Sequence, residues 1–170
     1  DGYREWEEAD LMLAHNGIGY DYRALQYLVP GWKRPAKAWD TLSICKVVWP
    51  VDILLGPDLA LAAKHNMDGK TKMAFIKRHS LKAWGIRLGI FKDEYEGGFE
   101  EWCPEMSVYM MQDNRVGVAL WKLIEKRTGQ VEPEKADLVW PMEVFEVECE
   151  VARILQEQEE DGIQFDMDKA

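Results

Sequence analysis

Short apolar runs of strand length alternate with amphipathic stretches in the first third of the chain. Residues 11–16 (LMLAHN) form one such run, which the turn residues Gly17 and Gly19 end. Residues 38–49 (AWDTLSICKVVW) predict a second strand that continues into a helix. Between the two runs, a helix is predicted to follow Asp21, which stands at its N-cap position. This order of strand, helix, strand and helix predicts an α/β fold.

Helical patterns dominate the rest of the chain. One helix is predicted to begin after the capping residue Ser80 and to stop at Gly89. A long helix is predicted from Pro104 to a stop at Gly129, and an amphipathic helix over residues 142–160. The apolar face predicted for the long helix consists of Val108, Met111, Val116, Ala119, Leu120 and Leu123.

The predicted sheet is too small to form a core. The pattern shows two strands, apart from an extended segment predicted at residues 163–166 (IQFD). A two-stranded parallel sheet is not stable by itself. We therefore expect further strands, most naturally upstream of Asp1.

Composition is typical of a globular protein from a reducing compartment. The 170 residues suffice for one domain with an appended segment, and 47% are hydrophobic and 31% charged. No apolar run of about 18 residues and no signal-peptide pattern is present, so no membrane partner is expected. Cys45, Cys103 and Cys149 are far apart and odd in number. Disulfides and a zinc site are therefore not expected, and a cytoplasmic location is predicted.

The net charge of −10 is unevenly distributed. Residues 131–170 carry 13 acidic and 3 basic side chains, whereas residues 1–130 carry 18 of each. Residues 64–92 contain eight basic side chains with Asp68 as the single acid. The eight are Lys64, Lys70, Lys72, Lys77, Arg78, Lys82, Arg87 and Lys92. Such a segment is either a solvated helix face or a surface that contacts phosphates.

Two aspartates and a tyrosine are the candidates for chemistry. Asp21 follows the first strand, and open α/β sheets bind ligands at the carboxyl ends of their strands. Tyr109 and Asp113 are four residues apart and therefore share one face of the long helix. Such carboxylates suit Mg²⁺ or Mn²⁺, and two of these ions can activate a water for hydrolysis. The residues alone leave other roles open, with Asp21 as a helix cap and Tyr109 as a packing residue.

Three motifs, in this order and spacing, resemble the 3′–5′ proofreading exonuclease domain of family A DNA polymerases. They are HNGIGYD at residues 15–21, HSLKAWGIRLG at 79–89 and YMMQD at 109–113. DTL at residues 40–42 is also similar to that family, and EVARILQEQEEDGIQFD at 150–166 is similar to its transition into the polymerase domain. The likeness covers essentially the whole chain and is strongest to the replicative polymerases of podovirus-type phages.

The resemblance implies a ribonuclease H-like fold and an exonuclease of the Tyr-type DEDD superfamily. It implies that Asp113 binds a metal directly, that Asp21 holds a second metal through water, and that Tyr109 positions the attacking water. The metals would be Mg²⁺ or Mn²⁺, and deoxynucleoside monophosphates would be released from a single-stranded DNA 3′ end. The predicted contacts to the DNA are His15, Asn16, Lys72, Lys77 and Arg78. For His15, a packed or hydrogen-bonded role at the strand end is the alternative.

One motif of the family is missing. Its first strand carries Asp-x-Glu, and no Asp in this sequence is followed two positions later by Glu. We therefore expect an N-terminally truncated exonuclease domain over residues 1–130, and a helical transition toward the polymerase domain over residues 131–170. With part of the carboxylates absent, the isolated chain is expected to be weakly active or inactive.

The favoured interpretation is a part of a phage DNA-directed DNA polymerase that carries the proofreading exonuclease. It would act in the cytoplasm of an infected bacterium, with the polymerase domain in the full-length protein or in a separate chain. The alternatives are a catalytically incomplete relic that binds nucleic acid, and one half of a split polymerase.

The eight tryptophans raise the question of base stacking. Trp84, Trp121 and Trp140 are predicted to be core residues. Trp32 and Trp102, which fall in predicted loops, are therefore the two candidates for stacking.

Overall fold

The computed structural model describes residues 2–35, 37–90, 95, 97–98, 101–136 and 139–162, with side chains from residue 4 onward. In chain order the elements are α1 (Gly2–Glu7), β1 (Met12–Ala14), α2 (Asp21–Leu28), β2 (Ala38–Asp40), α3 (Thr41–Val48), α4 (Val51–Lys64), α5 (Gly69–Phe75), α6 (Leu81–Leu88), α7 (Pro104–Arg127), a 3₁₀ turn (Pro133–Lys135) and α8 (Glu143–Asp161). The extended segment predicted at 163–166 lies outside the described residues, as does Lys92.

The chain divides into two compact units. The first unit consists of Asp1–Ile44 and Pro141–Ala170, and the second of Cys45–Trp140. The two units are defined by their spatial compactness. The domain boundary that the sequence predicts between residues 130 and 131 stays a prediction. Among the described residues, no helix is both long enough and apolar enough to cross a membrane.

A two-stranded parallel sheet lies in the first unit. β1 pairs with β2, with Ala14 opposite Asp40, which confirms both predicted strands. All three β2 residues are buried, and the Trp39 ring meets the Phe145 ring of α8 edge-on, with the ring centres 5.9 Å apart. Because the strands are parallel, their carboxyl ends meet at one edge of the sheet. The HNGIGYD turn leaves β1 at this edge.

The elements described in the second unit are all helices. Val116, Leu120 and Ile124 form a fully buried row on α7, called here the α7 stripe. Gly85 of α6 has no room for a side chain, because a Cβ there would lie 2.8 Å from the carbonyl oxygen of Ile90. The same Cβ would lie in ordinary contact with α7, 3.5 Å from Val116 Cγ2. A second apolar cluster joins α4, α5 and α6, and it contains Ala62, Phe75 and Ala83, with Leu61, Met67, Ile76 and Ile86 packed against them.

The predicted helix ends are confirmed where capping signals are strong. Ser80 Oγ accepts the Ala83 N–H at 3.2 Å at the start of α6, and Gly89 ends that helix in the left-handed conformation with φ 69°. Pro104 is the first residue of α7, and Gly129, with φ 71°, follows its end. Gly162 follows α8. These signals act within one helical turn, which is why they can be identified from the sequence.

Several burial predictions are wrong. Val108 and Met111 are 51% and 53% exposed, because both positions are rotated away from the α7 stripe. Trp32, a candidate for base stacking, is buried with 6% of its surface exposed, whereas Trp102 is 72% exposed. Trp84 is a core residue as predicted, at 2%. The other two predicted core tryptophans are only partly buried, and they are Trp121 and Trp140.

Candidate functional site

The turn between β1 and α2 holds the HNGIGYD motif in a defined conformation. Asn16 adopts a left-handed backbone with φ 66°. Gly17 is buried, and a Cβ on it would lie 2.4 Å from Ala14 Cβ, so glycine is required there. The N–H groups of Tyr20 and Tyr22 donate to the carbonyl oxygens of Asn16 and Gly17, at 3.1 and 2.9 Å. The backbone is therefore fixed up to the point where α2 begins.

Asp40, at the end of β2, ties this turn to the sheet. Its residue surface is 2% exposed, and its carboxylate accepts the N–H groups of Asn16 at 2.8 Å, Ile18 at 3.1 Å and Leu42 at 2.8 Å. Such charge-assisted hydrogen bonds offset the free energy of burying a carboxylate. The sequence signal for this role is an aspartate at the end of an apolar strand, directly before a helix. The signal is weak because two partners lie 24 and 22 residues away.

His15 is hydrogen-bonded at the strand end, which confirms the structural alternative for this residue. Thr41 Oγ1 donates its single hydrogen to the Ala14 carbonyl oxygen at 3.1 Å. His15 Nδ1 lies 3.0 Å from the same Oγ1 and must therefore be the donor in that contact. The hydrogen-bond network thus assigns a proton to Nδ1. Contacts of His15 and Asn16 with DNA stay a prediction.

Asp21 is the first residue of α2 and not its cap. The Tyr20 carbonyl already accepts the Ala24 N–H at 2.9 Å, so the helix begins one residue earlier than predicted and Tyr20 takes the N-cap position. Partial burial raises the pKa of the Asp21 carboxyl, and the negative charge of Asp40 adds to the rise, while a backbone hydrogen bond opposes it. A bound cation would favour the ionised carboxylate. Part of the Asp21 residue surface stays exposed to solvent.

Tyr109 and Asp113 lie one turn apart on α7, as their spacing predicts. Both are partly buried and continue the α7 stripe toward the start of the helix. The centre of the Tyr109 ring lies 6.0 Å from that of Tyr95, whose hydroxyl donates to the Gly98 carbonyl oxygen at 2.8 Å. Tyr109 therefore has an aromatic packing partner, and its role toward a water stays a prediction.

The predicted catalytic residues are divided between the two units. Asp21 belongs to the first unit, and Tyr109 and Asp113 belong to the second. In the part of the chain that the structure describes, no three His, Cys, Asp or Glu side chains are grouped so that they could hold a metal ion. The two aspartates have the hard oxygen ligands that Mg²⁺ prefers, but two carboxylates are too few for a two-metal site.

A buried ion pair holds α4 and α6 together. Arg87 Nε and Nη2 donate to Oδ1 and Oδ2 of Asp58 at 2.9 and 2.8 Å, and Asp58 also accepts the Lys77 backbone N–H at 2.8 Å. The Arg87 guanidinium lies over the Trp84 and Phe75 rings, 4.6 and 5.2 Å from their centres. Arg87 is therefore an internal residue, and its assignment to a basic surface segment is wrong. A count of charged residues could not reveal that Arg87 pairs with Asp58, which lies 29 residues earlier in α4.

The cations predicted to contact DNA differ in their surroundings. Lys72 and Arg78 are exposed. Lys77 is partly buried, and its Nζ lies 3.8 Å from an Asp52 carboxylate oxygen in an ion pair. All three belong to the second unit, whereas His15 and Asn16 belong to the first. DNA binding by these residues stays a prediction.

Two open clefts lie in the first unit, with volumes of about 320 and 410 Å³. Arg34 lines both clefts, and side chains of both charge signs surround it. In the larger cleft, Arg23 and Glu160 form an ion pair at 2.7 Å. His15, Asn16 and Asp21 line neither cleft, whereas Ile18 of the HNGIGYD turn and Tyr22 line the larger one.

Comparison with known proteins relates the chain to a region of phage DNA-directed DNA polymerases. The DNA-directed DNA polymerase of Enterobacteria phage T3 is 29% identical over 193 aligned positions, which cover 95% of this chain and 27% of that protein. The DNA-directed DNA polymerase of Escherichia phage T7 is 29% identical over 187 positions, which cover 92% of this chain and 26% of that protein. The chain thus spans about a quarter of the length of these curated relatives. No protein-family model matches it.

Proposed function

We propose that the chain is the part of a phage DNA polymerase that carries the 3′–5′ proofreading exonuclease, with a ribonuclease H-like fold. The observation that carries the proposal is the HNGIGYD turn. Asp40 and the close approach at Gly17 fix this turn, and Asp21 begins α2 directly after it. Sheets of the α/β class bind ligands beyond the carboxyl ends of their strands. The relation to two phage DNA polymerases supports the polymerase context.

The proposed roles follow from the chemistry of the side chains. Asp21 and Asp113 are the carboxylates that would hold Mg²⁺ or Mn²⁺, and Tyr109 would orient the attacking water through its hydroxyl. The bound ions would supply Lewis-acid stabilisation of the departing oxygen. Asn16, whose backbone is held by Asp40, would contact the 3′-terminal nucleotide together with His15.

This chain supplies too few carboxylates for the reaction by itself. No Asp-x-Glu is present among its 170 residues, so the missing ligands would come from residues outside this sequence. We therefore expect the 170-residue polypeptide to be weakly active or inactive. The second candidate function is a relic that binds nucleic acid without catalysis. This second candidate is favoured because no three possible metal ligands lie together among the described residues.

Manganese binding and nuclease assays on the 170-residue chain test the proposal. Loss of the free Mn²⁺ EPR signal should reveal weak binding, which Asp21→Asn and Asp113→Asn should each reduce. The control Asp10→Asn, which changes an exposed aspartate in the first unit, should leave the site unchanged. A 5′-labelled single-stranded oligonucleotide should lose few nucleotides from its 3′ end.

Two outcomes would contradict this proposal in different ways. Mn²⁺ binding that is insensitive to both aspartate changes would argue against Asp21 and Asp113 as ligands. Tight binding of two Mn²⁺ ions together with rapid 3′ degradation would show that the site is complete in this chain.

A further inference from the structure

Helix α8 carries apolar side chains on two of its faces. Phe145 and Cys149 are buried on one face, which packs against the sheet at Trp39 and Asp40. On another face, four apolar side chains are between 42% and 59% exposed. Together with the partly buried Val144 they form a continuous row, called here the α8 stripe, which consists of Val144, Val147, Val151, Ile154 and Leu155. Isolated exposed apolar residues are ordinary, whereas a continuous row of them is typical of an interaction surface.

The spacing of the α8 stripe matches that of a coiled coil. The successive intervals between Val144, Val147, Val151 and Ile154 are three, four and three residues, and Gln158 follows after four more. Apolar residues at this spacing occupy the a and d positions of heptads, whose side chains pack between those of a facing helix. At a rise of about 1.5 Å per residue, the row from Val144 to Gln158 is about 21 Å long. The shape that fits the α8 stripe is therefore a second helix that lies along it.

Acidic side chains flank the α8 stripe on both sides. Glu143, Glu150 and Glu157 are seven residues apart and occupy the g positions of the same heptads, and Glu148 occupies an e position on the other side. Arg153, the single basic residue of α8 against eight acidic ones, forms ion pairs with Glu150 and Glu157. Glu143 and Glu148 form no ion pair within the part of the chain that the structure describes. The flanks of the stripe therefore keep a negative charge that a partner can neutralise.

We propose that the α8 stripe binds an amphipathic helix of a separate protein, in which Lys or Arg residues flank an apolar row. The charges at e and g positions determine which helices pair, so acidic flanks select a basic partner. A second copy of this chain is a poor partner, because it would place glutamates against glutamates. It would also bring together two units that each carry 17 acidic and 7 basic residues. The proposal does not rest on the nuclease function, since it uses neither Asp21 nor Asp113.

Fluorescence anisotropy of a labelled synthetic peptide tests the proposal on the full 170-residue chain. The probe has about three heptads with Ile and Leu at a and d and Lys at e and g, and these lysines also prevent it from pairing with itself. One comparison peptide has Glu in place of Lys at e and g. A second has the composition of the Lys peptide, with its apolar residues shuffled out of the heptad spacing. We expect the chain to bind the Lys peptide at least about tenfold more tightly than either comparison peptide.

Replacing two valines of the α8 stripe tests the apolar contact without changing the net charge. Val147→Gln combined with Val151→Gln should weaken binding of the Lys peptide at least about tenfold, because two branched apolar side chains leave the contact. The matched control combines Val118→Gln with Val51→Gln, whose side chains on α7 and α4 are 57% and 45% exposed, against 59% and 46% for the test pair. The control should bind as the parent chain does. Thermal unfolding checks that both variants fold, and if the test pair does not, Val151→Gln alone should weaken binding about threefold.

A charge reversal tests the selection of a basic partner. Glu143→Lys combined with Glu148→Lys should weaken binding of the Lys peptide about tenfold and strengthen binding of the Glu peptide. The matched control combines Glu5→Lys with Glu8→Lys, which makes the same change of charge at exposed positions of the same unit. An equal effect of the two reversals would show that only the net charge of the unit matters, and it would overturn the proposal.

Three further outcomes would overturn the docking of a basic helix on the α8 stripe. The first is absence of Lys-peptide binding by the parent chain, and the second is equal binding of the Lys peptide and its shuffled form. The third is a dimer of the chain, seen by sedimentation velocity, that Val147→Gln with Val151→Gln dissociates, because it would assign the stripe to a second copy. The assay contains neither metal ion nor DNA, so its outcome is separate from that of the nuclease proposal.

Discussion

The buried Asp40 carboxylate determines the geometry of the candidate site at the scale of single residues. Asp40→Asn keeps the size of the side chain but replaces one acceptor oxygen by an NH₂ group that faces backbone N–H donors. We expect the free energy of unfolding to fall by about 3–5 kcal/mol, because a buried charged acceptor with three partners is lost. Urea unfolding measures the loss, with the exposed Asp10→Asn as the control. A loss below about 1 kcal/mol would contradict this role.

The Cys149 thiol should be protected by its surroundings. Its Sγ accepts the Asp40 N–H at 3.2 Å, and burial, with a smaller effect of the Asp40 charge, raises the pKa of Cys149 from 9.0 to about 11. The thiol therefore ionises at a lower pH in the unfolded chain than in the folded one. As a result, its contribution lowers the free energy of unfolding as the pH rises from 9 to about 11. At pH 8 we expect iodoacetamide to label the partly buried Cys103 well before Cys149, as measured by peptide mapping. In urea, which serves as the reference, the two thiols should be labelled at equal rates. Equal rates in the native protein as well would contradict the prediction.

At the scale of elements, the sequence predicts what depends on neighbours within one turn. The ends of α6 and α7 follow from Ser80, Gly89 and Pro104, and the spacing of Tyr109 and Asp113 places them on one helix face. Contacts between elements have no such local signal. The partners of the Asp40 carboxylate are up to 24 residues away in the sequence, so its role in organising the turn before Asp21 could not be predicted from spacing alone.

The ion pair between α4 and α6 should be strongly coupled. Asp58→Leu or Arg87→Leu alone should lower the free energy of unfolding by about 3–5 kcal/mol, because each leaves an uncompensated buried charge. The double change should cost less than the sum, by more than about 1 kcal/mol. The matched control is the cycle for the pair of Lys77 and Asp52, in which the Asp52 side chain is 91% exposed, and it should give a coupling of about 0.2–1 kcal/mol. Urea unfolding of both cycles measures this, and equal couplings would contradict the buried role of Arg87.

At the scale of the whole molecule, charge is divided very unequally between the two units. The first unit contains 7 basic and 17 acidic residues, whereas the second contains 14 of each. Self-repulsion among like charges opposes a compact state and is screened by salt. The exposed ion pairs of the first unit, such as Arg153 with Glu150 and Glu157, weaken in salt but contribute little to stability. The first unit should therefore gain stability from added salt, and the second should not.

Hydrogen exchange read by mass spectrometry measures this difference in a single experiment. Raising NaCl from about 20 mM to about 200 mM shortens the Debye length roughly threefold. We expect slower exchange in β2, where all three residues are buried beside α8, and little change along the α7 stripe. Replacing NaCl by sucrose is the control, because it favours compact states without screening charge. Equal salt effects on β2 and the α7 stripe would show that stability is not governed by the charge of each unit, since only the first unit carries the excess of acidic residues.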